Sequence, residues 1–128
     1  MKTTDLIAFA SDPAFAVDDD MRVIGWNHGA EALLGYSTAE ALGAKCSKVL
    51  QAFYPTGEPL CSMLCEGRSC MAVGEKWGIT ACRIRHKTGK MVTAGISTLV
   101  LPPEAREKNN GEAVALIFLR GVGGDTND

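Results

Sequence analysis

Four of the five cysteines of this chain fall in one stretch, CSKVLQAFYPTGEPLCSMLCEGRSC, at 46–70. Cys46, Cys61, Cys65 and Cys70 could together bind Zn²⁺ or an iron–sulfur cluster, because thiolates are good ligands for both. The common metal-binding pair is C-x2-C, whereas this stretch has C-x3-C and C-x4-C. On a helix, the cysteines of the C-x3-C pair face the same way and could reach one ion or form a redox pair. The residue types therefore indicate a metal or redox site.

The other interpretation of these cysteines is that they are free thiols packed as small hydrophobes. Free cysteine is among the most buried residue types. Thiols in the cytosol are normally reduced, and an odd count of five cysteines does not suit a disulfide framework. Cys82 lies in an apolar segment away from the other four, so we expect it in the core. We favour packed thiols for the cluster and keep the metal or redox role as the alternative.

The composition is that of a globular protein with one domain. The chain has 128 residues, 46% of them hydrophobic, and a net charge of −2. These values do not suit a disordered chain or a basic nucleic-acid-binding surface. The longest apolar runs, such as VALIFL at 114–119, are much shorter than the roughly 20 residues of a membrane span. The N-terminus is a poor signal peptide. We therefore expect a cytoplasmic protein that binds neither membrane nor nucleic acid directly.

The chain begins with a predicted helix and a strand hairpin. TTDLIAFA at 3–10 predicts a short helix, which Ser11-Asp12-Pro13 ends. AFAV at 14–17 and MRVIGW at 21–26 are strand-like, and three aspartates between them form a polar turn.

Short helices are predicted next. Asn27 suits the N-cap of a helix over 28–35, and Ser-Thr-Ala-Glu at 37–40 has the form of a capping box for a second helix. CSKVLQAF at 46–53 predicts one or two further helical turns. The segment 61–74 shows weak helical periodicity.

The rest of the chain predicts three strands. Segments 77–85 and 91–101 flank the turn sequence HKTGK, and alternation in the second places Ala94 and Ile96 on one face. Segment 113–120 is mostly apolar, as in a central strand. The predicted fold class is α+β, with a five-stranded antiparallel sheet and short helices on one face.

This order of motifs resembles the PAS domain, a ligand-sensing fold of signalling proteins. Segment 14–43 is similar to the opening of the PAS core, where an acidic residue such as Asp18 ends the first strand and an asparagine such as Asn27 follows the second. The turn at 86–90 with its two strands is similar to a PAS hairpin. The resemblance covers about 11–120, and it implies a bacterial sensor domain from a transcriptional regulator or sensor kinase. Neither a nucleophile–base pair nor a P-loop is recognisable in the sequence, so we do not expect an enzyme.

The resemblance implies an N-terminal helix at 1–10, a PAS-like sensor domain at 11–121, and a linker or tail at 122–128. Such a domain would relay the binding of a small apolar ligand to a covalently linked effector domain that this chain does not include. It would form a homodimer, for which the apolar N-terminal helix is suited. Two alternatives stay open, a redox sensor with a cysteine-ligated metal or iron–sulfur cluster, and a dimerisation module without ligand.

The resemblance also implies a small apolar pocket between the sheet and the helices. The candidates to line it are aromatic or large apolar residues of the strands and the helical middle, namely Trp26, Phe53, Tyr54, Met63 and Ile96. Plain core packing is the alternative for each of them.

The sequence lacks most of the residues that bind flavin in related photosensors. LOV photosensors, one branch of PAS domains, carry a flavin-bonding cysteine in the stretch G-x-N-C-R-F-L-Q, and Cys46 lies at the matching place. However, Lys45 and Ser47 replace the asparagine and the arginine of that stretch. The flavin-binding asparagines of the later strands would fall near Ile84 and Ala94, which cannot form amide hydrogen bonds.

The sequence also offers no well-placed axial ligand for haem. Haem-binding PAS domains need an axial ligand, which is usually histidine. His28 opens a predicted helix and His86 lies in a predicted turn, and exposure explains both. No cofactor is therefore strongly implied.

Overall fold

The computed structural model describes residues 3–60, 77–101 and 113–121. Its elements, in chain order, are a 3₁₀ helix (Thr3–Phe9), β1 (Ala14–Val17), β2 (Val23–Trp26), α1 (His28–Leu34), α2 (Thr38–Ala41), α3 (Cys46–Val49), β3 (Gln51–Phe53), β4 (Ile79–Arg85), β5 (Met91–Val100) and β6 (Ala115–Gly121). The helix predicted over 61–74, the segment 102–112 and the tail at 122–128 lie outside the described residues.

The strands form one antiparallel sheet with the order β2-β1-β6-β5-β4-β3. The predicted α+β class is confirmed, and β6 is central as expected. The predicted number of five strands is wrong, because the described residues form six. The additional strand is β3, which falls where a second helical turn was predicted.

Pairing on both sides explains why β3 is a strand. The helix α3 ends at Val49, and Ala52 then pairs with Ile84 of β4. On its other side, the carbonyl of Ala52 accepts the backbone N–H of Leu60 at 2.9 Å. Ala52 is buried there, so the extended backbone gains both hydrogen bonds and apolar contact.

The turn between β1 and β2 is built by Asp18. Its Oδ1 accepts the backbone N–H groups of Asp20 and Arg22, both at 2.9 Å. Met21 adopts a positive φ of 61° between them. Short polar side chains that bond to nearby backbone favour such turns, which confirms the polar turn predicted from the three aspartates.

The main core lies between the inner face of the sheet and the helices α1, α2 and α3. Alternation along β1 and β6 sends one set of side chains into this core and the other set to the outer face. The fully buried large side chains of the core are Phe15, Leu34, Ile84, Leu119, Val17, Val23 and Cys82.

The N-terminal 3₁₀ helix packs on the outer face of the sheet. Ile7 is buried in a second, smaller cluster with Ala14, Ala16 and Leu116. The helix approaches β2 closely, since a Cβ placed on Gly25 would lie 3.0 Å from Cδ1 of Ile7. A side chain at this position would crowd the tip of Ile7, so glycine favours the close approach of the helix.

Candidate functional site

Trp26 lies at the end of the edge strand β2 and faces the main core. It pairs with Phe15 of β1, and the two ring centroids are 5.3 Å apart with a tilt of 41°. Its indole Nε1–H donates to the carbonyl of Tyr36 at 2.9 Å, so the polar end of the ring is satisfied. Trp26 thus joins the sheet to the segment between α1 and α2.

The strands β4 and β5 form the apolar floor of the core. Ile84 and Ala94 are fully buried, and Ile96 is 4% exposed. Cys82 is also fully buried, and its thiol donates to the carbonyl of Ala94 at 3.3 Å. The positions at which flavin binding would need asparagines therefore hold apolar side chains packed in the core.

Cys46 is the first residue of α3 and belongs to the same core cluster, with 8% exposure. Its backbone N–H donates to the carbonyl of Met21 at 2.7 Å, which fixes the start of the helix. Cys61, Cys65 and Cys70 lie outside the described residues, as does Met63. Within residues 3–60, 77–101 and 113–121, no three histidine, cysteine or acidic side chains are grouped as metal ligands.

The two remaining pocket candidates lie at β3 and just after it. Ala52 faces the core, so alternation places Phe53 on the opposite face of the sheet, where the guanidinium of Arg85 lies 5.9 Å from its ring centroid. Tyr54 packs against the edge of the main core. The structure therefore brings Trp26, Tyr54 and Ile96 to one cluster, and it separates Phe53 from them.

The two histidines lie at the surface of the described structure. The side chain of His28 is fully exposed, and its Nδ1 lies 3.0 Å from Oε1 of Glu31. Nδ1 of His86 accepts the backbone N–H of Thr88 at 3.1 Å. Neither ring faces the core, so these positions do not suit an axial ligand for haem bound between sheet and helices.

Two surface carboxylates hold α1 and α2 in place. The backbone N–H and hydroxyl of Thr38 donate to Glu31, and these hydrogen bonds lower the pKa of that carboxyl. Lys87 lies 2.5 Å from Glu40, and its hydrogen bond, with that from the backbone N–H of Ser37, lowers the pKa of Glu40 to about 2. The reciprocal bonds of Ser37 and Glu40 confirm the capping box predicted from the sequence.

Among the residues that the structure describes, Asn27 is the one polar residue that is buried, with 7% exposure. Its Oδ1 accepts the N–H of Ala30, which confirms the predicted N-cap, and also the N–H of Ala14, both at 2.9 Å. Its Nδ2 donates to the carbonyls of Ile7 at 2.9 Å and Asp12 at 3.1 Å. Only the capping bond was predictable from the neighbouring sequence, because the other three partners are distant along the chain.

A cleft of about 530 Å³ opens between the 3₁₀ helix and the end of β2. Its walls come from these two elements and are formed by Thr4, Asp5, Ile7, Ala8, Phe9, Trp26 and Asn27. The cleft is open to solvent, and Trp26, which lines it, also belongs to the main core. None of the described helices is long and apolar enough to cross a membrane.

Comparisons with known proteins agree with this architecture. Residues 5–58 match the family model for the PAS fold. The PAS domain of a protein from Colwellia psychrerythraea superposes with a TM-score of 0.68 at 24% identity, over 92% of each chain. A PAS domain from a two-component sensor histidine kinase gives 0.66 at 14% identity, over 93% of this chain and 92% of the other.

A third similar structure is the LOV protein of Rhodobacter sphaeroides, with a TM-score of 0.71 at 14% identity. The match covers 97% of this chain and 66% of that protein. No match is found among curated proteins. The superpositions span nearly all of the chain, so the likeness in fold extends beyond residue 58.

Proposed function

Because this chain is a PAS-fold domain, we propose that it is a signal-sensing module whose input is a small apolar molecule held between the sheet and the short helices. The observation that carries this proposal is the apolar floor of β4 and β5. Ile84, Ala94 and Ile96 are buried there and offer no side-chain hydrogen bond. A ligand on this floor would be recognised by shape and apolar contact.

The short helices α2 and α3, which pack against β2 and β3, suit a responsive element. The two helices α2 and α3 have four residues each, and α3 has no side-chain bond at its N-cap Lys45. Short helices gain little stability from their own hydrogen bonds, so their positions depend on packing. A ligand that changes the packing beneath them would shift the populations of their positions.

The test is native mass spectrometry of the purified protein, followed by thermal denaturation with benzene and with indole as apolar probes. We expect a retained molecule or a concentration-dependent rise in Tm. Ile96→Phe, which fills the floor, should abolish the effect. Leu99→Phe is the matched control, because Leu99 lies on the outer side of the same strand and is 52% exposed. No retained molecule and no rise in Tm with either probe would contradict the proposal.

We place the output of this domain in a bacterial transcriptional regulator or sensor kinase. The similarity to a PAS domain of a sensor histidine kinase supports this placement. In this arrangement 11–121 senses the signal in the cytoplasm, the chain performs no catalysis, and a linked effector domain delivers the response. Fusion of the domain to a reporter kinase, with the Ile96→Phe variant as control, tests whether the core changes the activity of an effector.

Self-association through the N-terminal 3₁₀ helix is part of the proposal. Leu6 is 51% exposed and Phe9 is 77% exposed on this helix, which leaves apolar surface for a second copy. Light scattering should give the mass of a dimer for the native chain and a lower mass for Phe9→Asp. If the variant kept the mass of a dimer, the dimer contact would lie elsewhere on the protein. If the native chain were a monomer, the proposed self-association would be wrong.

A thiol-based sensor is the second candidate. It is favoured by the close spacing of Cys61, Cys65 and Cys70 in the sequence. Cys46 is buried in the main core, so this candidate rests on the other three cysteines. An anaerobically purified sample should then show metal by elemental analysis or visible absorption of a cluster. The triple serine variant of these three residues should lose the metal, and a native sample without metal or absorption would eliminate that form of the proposal.

A further inference from the structure

The side-chain amide of Asn27 makes all the hydrogen bonds that such a group can make within the protein. Its two donors are used by the carbonyls of Ile7 and Asp12, and its oxygen accepts from Ala14 and Ala30. The four partners belong to the 3₁₀ helix, the segment before β1, the first residue of β1 and the first turn of α1. One buried side chain therefore joins elements that lie on opposite faces of the sheet.

These bonds are directional, unlike the contacts that the side chain of Ile7 makes with the sheet. The side chain of Ile7 packs against small apolar groups of Ala14 and Ala16, and the close approach at Gly25 is also apolar. Apolar contacts of this kind are non-directional and tolerate small shifts. A hydrogen bond weakens when its angle or length changes, and a buried amide at 7% exposure has little access to replacement by water.

A movement of α1 therefore has a direct consequence at the N-terminal helix. If the first turn of α1 shifts, Oδ1 of Asn27 follows the N–H of Ala30 or loses it. Because the amide is planar and rigid, Nδ2 moves with Oδ1, and its bonds to Ile7 and Asp12 change geometry. The far end of α1 is Leu34, which is fully buried in the main core, so changes in core packing act on this helix.

We propose that Asn27 is the junction that carries a displacement of α1 to the N-terminal 3₁₀ helix on the other face of the sheet. This role does not depend on which ligand, if any, occupies the core, because a core mutation can impose the displacement. If the bonds from Nδ2 to Ile7 and Asp12 were lost, the N-terminal helix would be released, while the bond of Oδ1 to Ala30 would still cap α1. The junction thus sets how strongly the core controls the N-terminal segment.

The test compares two cavity-forming substitutions, Leu34→Ala and Ile84→Ala, in the whole chain without added ligand. Both residues are fully buried in the same core cluster, but only Leu34 lies on α1. Hydrogen exchange of segment 4–10, normalised to that of β6, which carries neither substitution, reports local release of the N-terminal helix. We expect acceleration of about tenfold for Leu34→Ala and little normalised change for Ile84→Ala.

The same comparison is repeated in the Asn27→Asp background. A carboxylate can still accept from Ala14 and Ala30, but it cannot donate to Ile7 or Asp12. We expect Asn27→Asp alone to accelerate exchange of 4–10 and to abolish the further response to Leu34→Ala, as coupled sites do in a double-mutant cycle. Asn27→Ser, which keeps a capping oxygen but has one donor where the amide has two, replaces it if the aspartate variant does not fold.

The proposal is overturned if Leu34→Ala and Ile84→Ala accelerate segment 4–10 equally in the native Asn27 background. It is also overturned if the response to Leu34→Ala persists unchanged in a variant whose residue 27 cannot donate to both Ile7 and Asp12. The first comparison needs no Asn27 variant, so it can overturn the proposal even if both variants are unfolded. Because no ligand is added, a negative result in this test does not contradict the proposed sensing of an apolar molecule. A negative result in the ligand test likewise does not contradict the role proposed for Asn27.

Discussion

The imidazole of His86 occupies the space that a Cβ on Gly35 would need. Gly35 ends α1 with a left-handed backbone, at a φ of 84°. The next residue of the β4–β5 turn, Lys87, donates its backbone N–H to the carbonyl of Leu34 at 2.8 Å. The hairpin turn therefore closes the C-terminal end of α1, while Asn27 holds its N-terminal end.

Replacement of Gly35 by alanine should destabilise the protein for two separate reasons. The left-handed backbone costs about 1–2 kcal/mol for an L-residue, and the new Cβ displaces His86 and with it the contact of Lys87 with Leu34. We expect a loss of more than about 2 kcal/mol in the free energy of unfolding, measured with urea.

The matched control for this substitution is Gly89→Ala. Gly89 also has a positive φ, of 97°, but a Cβ there meets nothing within 4 Å. It should show only the backbone cost, so the difference between the two variants measures the contact of His86 with Gly35. Equal losses for the two variants would contradict the closure of α1 by the hairpin turn.

Local signals in the sequence predicted the N-caps of α1 and α2, and the structure confirms them. The N-cap bond of Asn27 and the capping box of Ser37 and Glu40 both involve partners within four residues. Their chemistry depends on neighbouring residues alone, which is why short patterns identify them. The PAS fold followed from the order of such signals.

Features that depend on distant partners were not predictable in the same way. β3 has no strand pattern of its own, and it exists because β4 and Leu60 supply hydrogen bonds to it. Phe53 was placed in the predicted pocket because of its residue type, but the register of β3 puts it beside Arg85 on the outer face. The donors of Asn27 reach back to Ile7 and Asp12, and that link was also invisible in the sequence.

The ion pair of Glu40 and Lys87 should make stability depend on pH in the acid range. The pKa of Glu40 in the folded protein is about 2, against an ordinary value of 4.5. Because the folded value is lowered, the stabilising contribution is complete above pH 4.5 and is lost as the pH falls towards 2. Removing the cation with Lys87→Met should lower Tm above pH 4.5, and this difference in Tm should shrink as the pH falls.

Measuring Tm at several pH values for the native chain, Lys87→Met and Lys90→Met checks this prediction. Lys90 lies in the same turn, and no ion pair of Lys90 is seen in the described residues. Its variant should differ from the native chain by an amount that does not change between pH 4.5 and 2. A difference for Lys87→Met that is constant over this range would show that the pair with Glu40 does not form in solution.

The two cysteines of the described core should react slowly in the folded protein. In a variant with serine at 61, 65 and 70, only Cys46 and Cys82 remain, at 8% and 0% exposure. Burial hinders both ionisation of a thiol and access of a reagent, so labelling requires local opening. Cys46 should react before Cys82. Cys46 is the first residue of the four-residue helix α3, whereas Cys82 lies in β4, which is paired on both sides by β3 and β5.

Mass spectrometry of the protein after timed exposure to a maleimide identifies which cysteine has reacted. The rate at each site in the native state is compared with the rate in urea, where both should react rapidly. We expect a native rate at least about tenfold lower at both sites. Rapid labelling of Cys46 without urea would contradict its place in the core and would favour a reactive thiol at this position.

Two adjacent residues of the N-terminal helix should differ sharply in their contribution to stability. Ile7 is 4% exposed against the outer face of the sheet, whereas Leu6 is 51% exposed. Ile7→Ala should lower the free energy of unfolding by about 2 kcal/mol, at the low end for a buried aliphatic side chain because its cluster is small. Leu6→Ala should change it by no more than about 0.5 kcal/mol.

Urea unfolding at low protein concentration, where self-association contributes least, measures both values. Limited proteolysis supplies a local readout, since undocking of the helix in Ile7→Ala should expose segment 3–9 to cleavage before the sheet unfolds. Leu6→Ala should leave cleavage unchanged and should instead weaken the proposed dimer. If the two variants were equally stable and equally resistant to protease, the N-terminal helix would not be docked on the sheet, and Asn27 would have no partner there to hold.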